Sequence, residues 1–96
     1  MDLTALFTRI EKTMEVNAGV IVLENPDGFP HNETNLYLID RRGNIIWKAE
    51  KPEPGTSFSR ARLNEDGDTF SAYTVGGHAC EFNLQTGKLI SFTRIQ

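Results

Sequence analysis

Short runs of apolar and β-branched residues dominate the chain after Gly19, and each run ends at a cluster of turn-forming residues. The first run, Val20–Leu23, stops at Asn25-Pro26-Asp27-Gly28, where proline and glycine favour a turn. Similar runs recur roughly every 8–12 residues, the spacing of strands in an antiparallel meander. We therefore predict a mainly β fold in which about six to seven strands form one curled sheet or a half-barrel.

Residues 1–16 follow a different pattern. Apolar side chains recur there at the three- and four-residue spacing of an amphipathic helix, and polar side chains occupy the other face: Leu3, Leu6, Phe7, Ile10 and Met14. Asp2 would cap this helix. The pattern predicts a short N-terminal α-helix that packs on the sheet. Residues 13–16 also fit a strand that enters a hairpin through Asn17-Ala18-Gly19, and this alternative stays open.

The composition limits the architecture and the classes of function. The chain has 96 residues, of which 39% are hydrophobic, so we predict a single domain over residues 1–96. A formal charge of −3 disfavours general binding to nucleic acids or anionic membranes, because both require a basic surface. The N-terminal residues lack a signal-peptide pattern, and the single cysteine cannot form an internal disulfide. We therefore expect a soluble cytoplasmic protein.

Two hairpins have similar sequences. Residues 36–47 align with residues 80–91, and their turn glycines, Gly43 and Gly87, lie 44 positions apart. One four-stranded propeller blade spans a similar length, about 40–45 residues. The first hairpin carries an acidic residue, a turn glycine, an asparagine, two isoleucines and a tryptophan, in that order: Asp40, Gly43, Asn44, Ile45, Ile46 and Trp47. The second carries Asn83, Thr86, Gly87, Lys88, Leu89 and Ile90, with Ser91 in place of the tryptophan.

These hairpins resemble the repeats of quinoprotein-type β-propellers. The resemblance implies propeller-like hairpin geometry over about a third of the chain. A closed propeller needs at least about four blades, and the chain holds about two. The resemblance therefore implies neither a closed ring nor the quinone cofactor site of that family.

The chemically reactive residues form no catalytic or metal-binding signature. His78 and Cys80 would share one strand face, but no local pair of residues completes a four-ligand zinc site, and His31 is distant in sequence. Nothing in the sequence would lower the pKa of the Cys80 thiol for nucleophilic catalysis. Arg60 and Arg62 share another strand face, where they would bind a carboxylate or phosphate or simply face solvent. We expect a non-enzymatic protein without metal or cofactor.

Two binding functions fit these limits. The first is a protein-binding module, for example a bacterial immunity-type inhibitor that covers a basic toxin with loop carboxylates: Glu24, Asp27, Glu33, Asp66 and Asp68. Trp47 would anchor either that partner or the core. The second is a small-molecule-binding or sensing domain with a pocket on the sheet face near Trp47, Tyr37 and Tyr73. Open sheet edges would also permit a homodimer.

Overall fold

The computed structural model describes residues 3–95, which form eight antiparallel β-strands in two four-stranded sheets. The strands are β1 (Ile10–Val16), β2 (Gly19–Glu24), β3 (Leu36–Ile39), β4 (Ile45–Lys48), β5 (Phe58–Leu63), β6 (Thr69–Thr74), β7 (His78–Asn83) and β8 (Leu89–Arg94). Strands β1–β4 form the first sheet and β5–β8 the second, each in chain order. The prediction of a mainly β fold is confirmed.

The prediction of one curled sheet or half-barrel is wrong, because β4 and β5 do not pair. Between them lie Pro52 and Pro54, which have no backbone N–H to donate to a continuing ladder. The chain instead starts a second sheet that packs against the first.

The predicted N-terminal helix is also wrong, and the hairpin alternative is correct for this region. Residues 3–9 contain no helix, while β1 pairs with β2 across the turn at residues 17–18. Ile10 packs on the outer face of the first sheet and Met14 lies in the core between the sheets. Strand β1 gives the apolar strand β2 a hydrogen-bonded neighbour, which a helix would not provide. Asp2 lies outside the described residues.

The main core lies between the two sheets and contains aromatic side chains from both. Trp47 of the first sheet stacks on Phe70 of the second, with ring centroids 5.3 Å apart. Phe70 stacks in turn on Phe82 at 4.8 Å, and Phe58 meets Phe82 edge-on at 5.6 Å. Such pairs add to the stabilisation from burial, so this cluster holds the sheets together.

Trp47 also connects β4 to the turn between β7 and β8. Its indole N–H donates to the carbonyl oxygen of Leu84 over 3.1 Å. A β-carbon at Gly87 would lie 2.5 Å from Cε3 of the indole, and Gly87 has φ +71°. Only glycine satisfies both the close approach and the left-handed backbone at this position.

The two hairpins with similar sequences have similar local geometry. The β3–β4 pair shifts register between Leu38 and Ile39, and the β7–β8 pair shifts between Glu81 and Phe82; the residue skipped on the second strand, Ile46 or Ile90, lies at the aligned position in both hairpins. The resemblance of these hairpins to propeller repeats stays a prediction.

Residues 3–9, here called the N-terminal strap, cover part of the outer face of the first sheet. Leu3, at the start of the strap, packs against the buried side chains of Val22, Tyr37 and Ile39. The first sheet is therefore covered on both faces, by the second sheet on one side and by the strap on the other. Among the described residues, no helix has the length and apolar character needed to cross a membrane.

Candidate functional site

Glu24 is a buried structural residue, so its predicted role as a partner-binding loop carboxylate is wrong. Its side chain is 0% exposed. One carboxylate oxygen accepts hydrogen bonds from the backbone N–H groups of Phe7 at 3.0 Å and Thr8 at 2.8 Å. The other accepts one from Leu6 N–H at 2.6 Å and one from the Tyr37 hydroxyl. The carboxylate thus fixes the N-terminal strap.

These bonds also control the ionisation of both partners. Burial acts to raise the pKa of Glu24, but the hydrogen bonds from Tyr37 and the strap outweigh it, so the pKa falls below its ordinary value. Burial and the adjacent carboxylate raise the pKa of Tyr37. Glu24 therefore stays ionised as the acceptor, and Tyr37 stays protonated as a donor.

The four other predicted carboxylates do not form one acidic face. Asp27 and Glu33 lie in the β2–β3 loop, and Asp66 and Asp68 lie in the β5–β6 turn. The β5–β6 turn shares a cavity with the β1–β2 turn, whereas the β2–β3 loop joins the opposite ends of its strands. The four carboxylates are therefore divided between two ends of the first sheet's strands.

Local contacts account for two of these carboxylates. Glu33 accepts a hydrogen bond from Lys48 Nζ at 3.0 Å. Asp66 accepts backbone hydrogen bonds from Asp68 and Thr69, each at 2.9 Å, and these interactions lower its pKa. Asp66 thus shapes its own turn.

Trp47 and Tyr37 are both buried and do not form an exposed partner anchor, and Tyr37 borders a cavity of about 310 Å³ that strap residues also line. Trp47 is 8% exposed and packs between the sheets, and Tyr37 is 2% exposed beneath the strap. The three residues of the predicted pocket therefore do not line one shared cavity. Tyr73, the third residue of that prediction, is partly exposed and lines a different cavity.

His78 and Cys80 share the inner face of the second sheet, as their spacing predicts, and both are buried. His78 Nδ1 lies 3.0 Å from Thr74 Oγ1 and Nε2 lies 3.3 Å from Glu53 Oε1, so both ring nitrogens have partners. Burial raises the pKa of the Cys80 thiol to about 11. Within residues 3–95 no group of three potential side-chain ligands is placed to hold a metal ion.

A cavity of about 510 Å³ opens between the edge strands β1 and β5, and we call it the β1–β5 groove. It is lined by Glu11, Lys12, Leu23, Ser59, Arg60, Ala61, Arg62, Ser71 and Tyr73. The lining combines three cationic side chains with three hydroxyl groups. Such a set offers several hydrogen-bond donors to one anionic group.

The register of β5 places its two arginines on the same side. A bulge between Phe58 and Arg60 sends Phe58 into the core, after which Arg60 pairs with Tyr73 and Arg62 with Ser71. The arginines therefore share a face with Tyr73 and Ser71 and not with Phe58. Alternation along the strand turns Ala61 inward between them.

Lys12 reaches the groove from the first sheet. Its ammonium donates a hydrogen bond to the carbonyl oxygen of Ala61 over 2.7 Å, which links β1 to β5. The sequence alone gave no sign of this role, because residues around Lys12 fit a helix and lie 49 positions from Ala61.

The groove has a local excess of positive charge in a chain of formal charge −3. Its one carboxylate, Glu11, is bound by Arg9 at 2.8 Å. In the described part of the chain, no carboxylate oxygen lies within 4.0 Å of the charged groups of Lys12, Arg60 or Arg62. These cations are therefore available to an anionic ligand.

The fold and the groove define a small two-sheet antiparallel β protein with a cationic surface cavity. Residues 3–93 match a protein family described as a domain of unknown function, DUF7957, and the chain belongs to that family. No curated protein and no solved structure matches the chain in the corresponding comparisons.

Proposed function

We propose that this protein is a non-enzymatic domain that binds a small anionic molecule in the β1–β5 groove. The observation that carries the proposal is the meeting of Lys12, Arg60 and Arg62 in one cavity, with no carboxylate partner among residues 3–95. The ligand class is a compact molecule that bears phosphate or carboxylate groups.

The chemistry of the groove supports this ligand class. A guanidinium group presents a planar set of donors that matches the oxygens of a carboxylate or phosphate, and two such groups suit a multiply charged anion. The hydroxyl groups of Ser59, Ser71 and Tyr73 add neutral donors. The volume of about 510 Å³ lies within the range of roughly 300–1,000 Å³ common for small-molecule sites.

The burial and the hydrogen bonding of the reactive side chains support the non-enzymatic part of the proposal. Cys80 is buried with a raised pKa, and His78 is held by Thr74 and Glu53 inside the fold. Neither side chain lines the groove. A protein-binding role of the immunity type stays a prediction. The carboxylates predicted to bind the partner lie at two different ends of the strands, so that role has less structural support than anion binding in the groove.

Thermal unfolding with a panel of anions tests the proposal. The panel contains inorganic phosphate, pyrophosphate, citrate and a nucleoside monophosphate at low ionic strength, because salt screens exposed charges. A ligand present at about ten times its Kd stabilises the folded state by about 1.4 kcal/mol, a rise in Tm of roughly 5 °C or more. We expect at least one multiply charged anion to produce this rise.

Variants link that response to the groove. Arg60→Ala or Arg62→Ala should each weaken binding about five- to tenfold, because each removes charge-assisted hydrogen bonds. Arg41→Ala is the matched control, since Arg41 is exposed in the β3–β4 turn away from the groove. The proposal fails if no anion raises Tm, or if Arg41→Ala weakens binding as much as the groove variants.

A further inference from the structure

Strand β8 is an edge strand with several exposed apolar side chains. Ile90, Phe92 and the adjoining Ile95 are 53%, 47% and 57% exposed. Phe92 lies on the inner face of the second sheet, where it meets His78 edge-on at 5.6 Å, yet the first sheet leaves about half of it uncovered. The strand therefore presents both unpaired backbone groups and apolar surface.

The other three edges of the two sheets are better protected against pairing. Strand β1 carries three charged residues and β5 carries two, while β4 has only four residues and ends in a lysine. In β8, Arg94 is the only charged residue, and the strand contains no lysine or proline. Charges, proline and short length are the usual means by which edge strands avoid association.

The ladder between β7 and β8 determines which backbone groups remain free. Ile95 N–H donates to the carbonyl oxygen of Gly77, so odd-numbered residues of this part of β8 face β7. Phe92 and Arg94 consequently turn their N–H and C=O groups outward. At the start of the strand, Leu89 N–H is bound to Glu50 Oε1 at 2.9 Å, which limits the free edge to residues 90–95.

We propose that two copies of this chain form a twofold dimer in which β8 of one copy pairs antiparallel with β8 of the other, centred on Phe92. The two sheets then form one continuous eight-stranded sheet. The two Phe92 rings lie side by side, and their apolar surface extends over the part of the inner face that the first sheet leaves uncovered.

The pattern of charges favours a second copy as the occupant of this edge. In the proposed register Ser91 faces Thr93 of the other copy and Phe92 faces Phe92, so hydroxyl groups meet hydroxyl groups and apolar residues meet apolar residues. Each Arg94 faces Ile90 of the other copy, and the two arginines lie about 13 Å apart along the strand direction. No like charges meet, so the edge is complementary to itself.

This dimer would leave the β1–β5 groove open, because β5 and β8 lie at opposite edges of the second sheet. Dimer formation and anion binding therefore use separate surfaces, so each can be measured independently of the other. A short strand pair buries less than a standard interface of about 800 Å² per partner, so we expect dissociation in the micromolar range.

Sedimentation equilibrium of the full chain, from a few micromolar to about 1 mM, tests the proposal. The wild-type protein should change from monomer to dimer over this range. Phe92→Lys should remove the dimer, with at least a 30-fold rise in Kd, because it places two ammonium groups face to face. Far-UV circular dichroism checks that this variant folds.

Two further variants test the location and the register. Ile46→Lys is the matched control, because Ile46 is 46% exposed at the position of β4 that aligns with Ile90 of β8, and it should leave the dimer unchanged. Ser91→Glu combined with Thr93→Lys places opposite charges across the proposed interface and should tighten the dimer about two- to tenfold. The proposal is overturned if the wild-type protein stays monomeric, or if the dimer persists in Phe92→Lys. Loss of the dimer in Ile46→Lys, or a weaker dimer in the double variant, would also overturn it.

Discussion

Replacement of Glu24 by glutamine is expected to release the N-terminal strap with little change in side-chain volume. In the native protein the carboxylate accepts hydrogen bonds from the N–H groups of Leu6, Phe7 and Thr8 and from Tyr37. The glutamine oxygen can replace one carboxylate oxygen as acceptor, but the amide NH₂ then faces another donor. The variant loses the charge and leaves at least one partly buried donor of the strap or Tyr37 without its acceptor.

The size of the expected loss in the free energy of unfolding follows from those contacts. A hydrogen bond to a charged group contributes about 1.5–3 kcal/mol, and an unpaired buried donor costs about 1–3 kcal/mol. We expect Glu24→Gln to lower the free energy of unfolding by about 2–4 kcal/mol, a large part of the roughly 5–15 kcal/mol of a small domain. Glu65→Gln, in the exposed β5–β6 turn, should change it by less than about 0.5 kcal/mol.

The effect of Glu24→Gln should depend on pH in a defined direction. The pKa of Glu24 is lowered in the folded state from its ordinary value of 4.5, so its ionised form stabilises the fold. That contribution is complete above pH 4.5 and is lost as the pH falls through the folded-state pKa. The difference between wild type and variant should therefore be constant near neutral pH and shrink below about pH 4.5.

Urea unfolding followed by the fluorescence of the single tryptophan, the buried Trp47, measures this difference. Amide hydrogen exchange at Leu6, Phe7 and Thr8 provides a local measurement and should become faster in the variant at neutral pH. Equal unfolding midpoints for the two proteins at pH 7, with unchanged exchange in the strap, would refute the role given to this carboxylate.

Three further predictions concern the contacts between and within the sheets. Gly87→Ala should lower the free energy of unfolding in urea by about 2–4 kcal/mol, because the new β-carbon would clash with the indole of Trp47. Gly43→Ala is the control: Gly43 has φ +88° but no atom near its β-position, so the loss should be only about 1–2 kcal/mol. Equal costs would contradict the contact. Asn35→Ala should cost at least about 3 kcal/mol in the same assay, because its buried amide makes three hydrogen bonds to backbone groups of β2 and β5, and a neutral result would refute that role. Cys80 should react with a thiol reagent only after unfolding, since it is 4% exposed and its pKa is raised to about 11; rapid labelling of the native protein would contradict this.

Local sequence patterns predicted the hairpins well because turns depend on a few adjacent residues. The turns at Asn25–Gly28, Asp40–Asn44 and Gln85–Lys88 all separate strands in the structure. The number of sheets depends on distant packing, in which Trp47 of β4 contacts Phe70 of β6 and the carbonyl oxygen of Leu84 in the β7–β8 turn. Periodicity within each strand carries no information about that contact.

The errors at the N-terminus and in the site have the same origin. Glu24 directly precedes a turn sequence and fits an exposed loop, but residues 16–18 positions earlier supply the N–H groups that bury it. Arg60 and Arg62 were recognisable as a pair on one strand face. Lys12 and Tyr73 were not recognisable as their neighbours, because the pairing of β5 with β6 and its approach to β1 bring them together.

Amide NMR spectra recorded during a titration with pyrophosphate test the anion site most directly. Saturable shifts should be concentrated on residues of β1, β5 and β6 that border the groove, and they should be lost in a variant that combines Arg60→Ala with Arg62→Ala. Absence of any saturable shift, or shifts of equal size at the distant β3–β4 turn, would contradict an anion site in the β1–β5 groove.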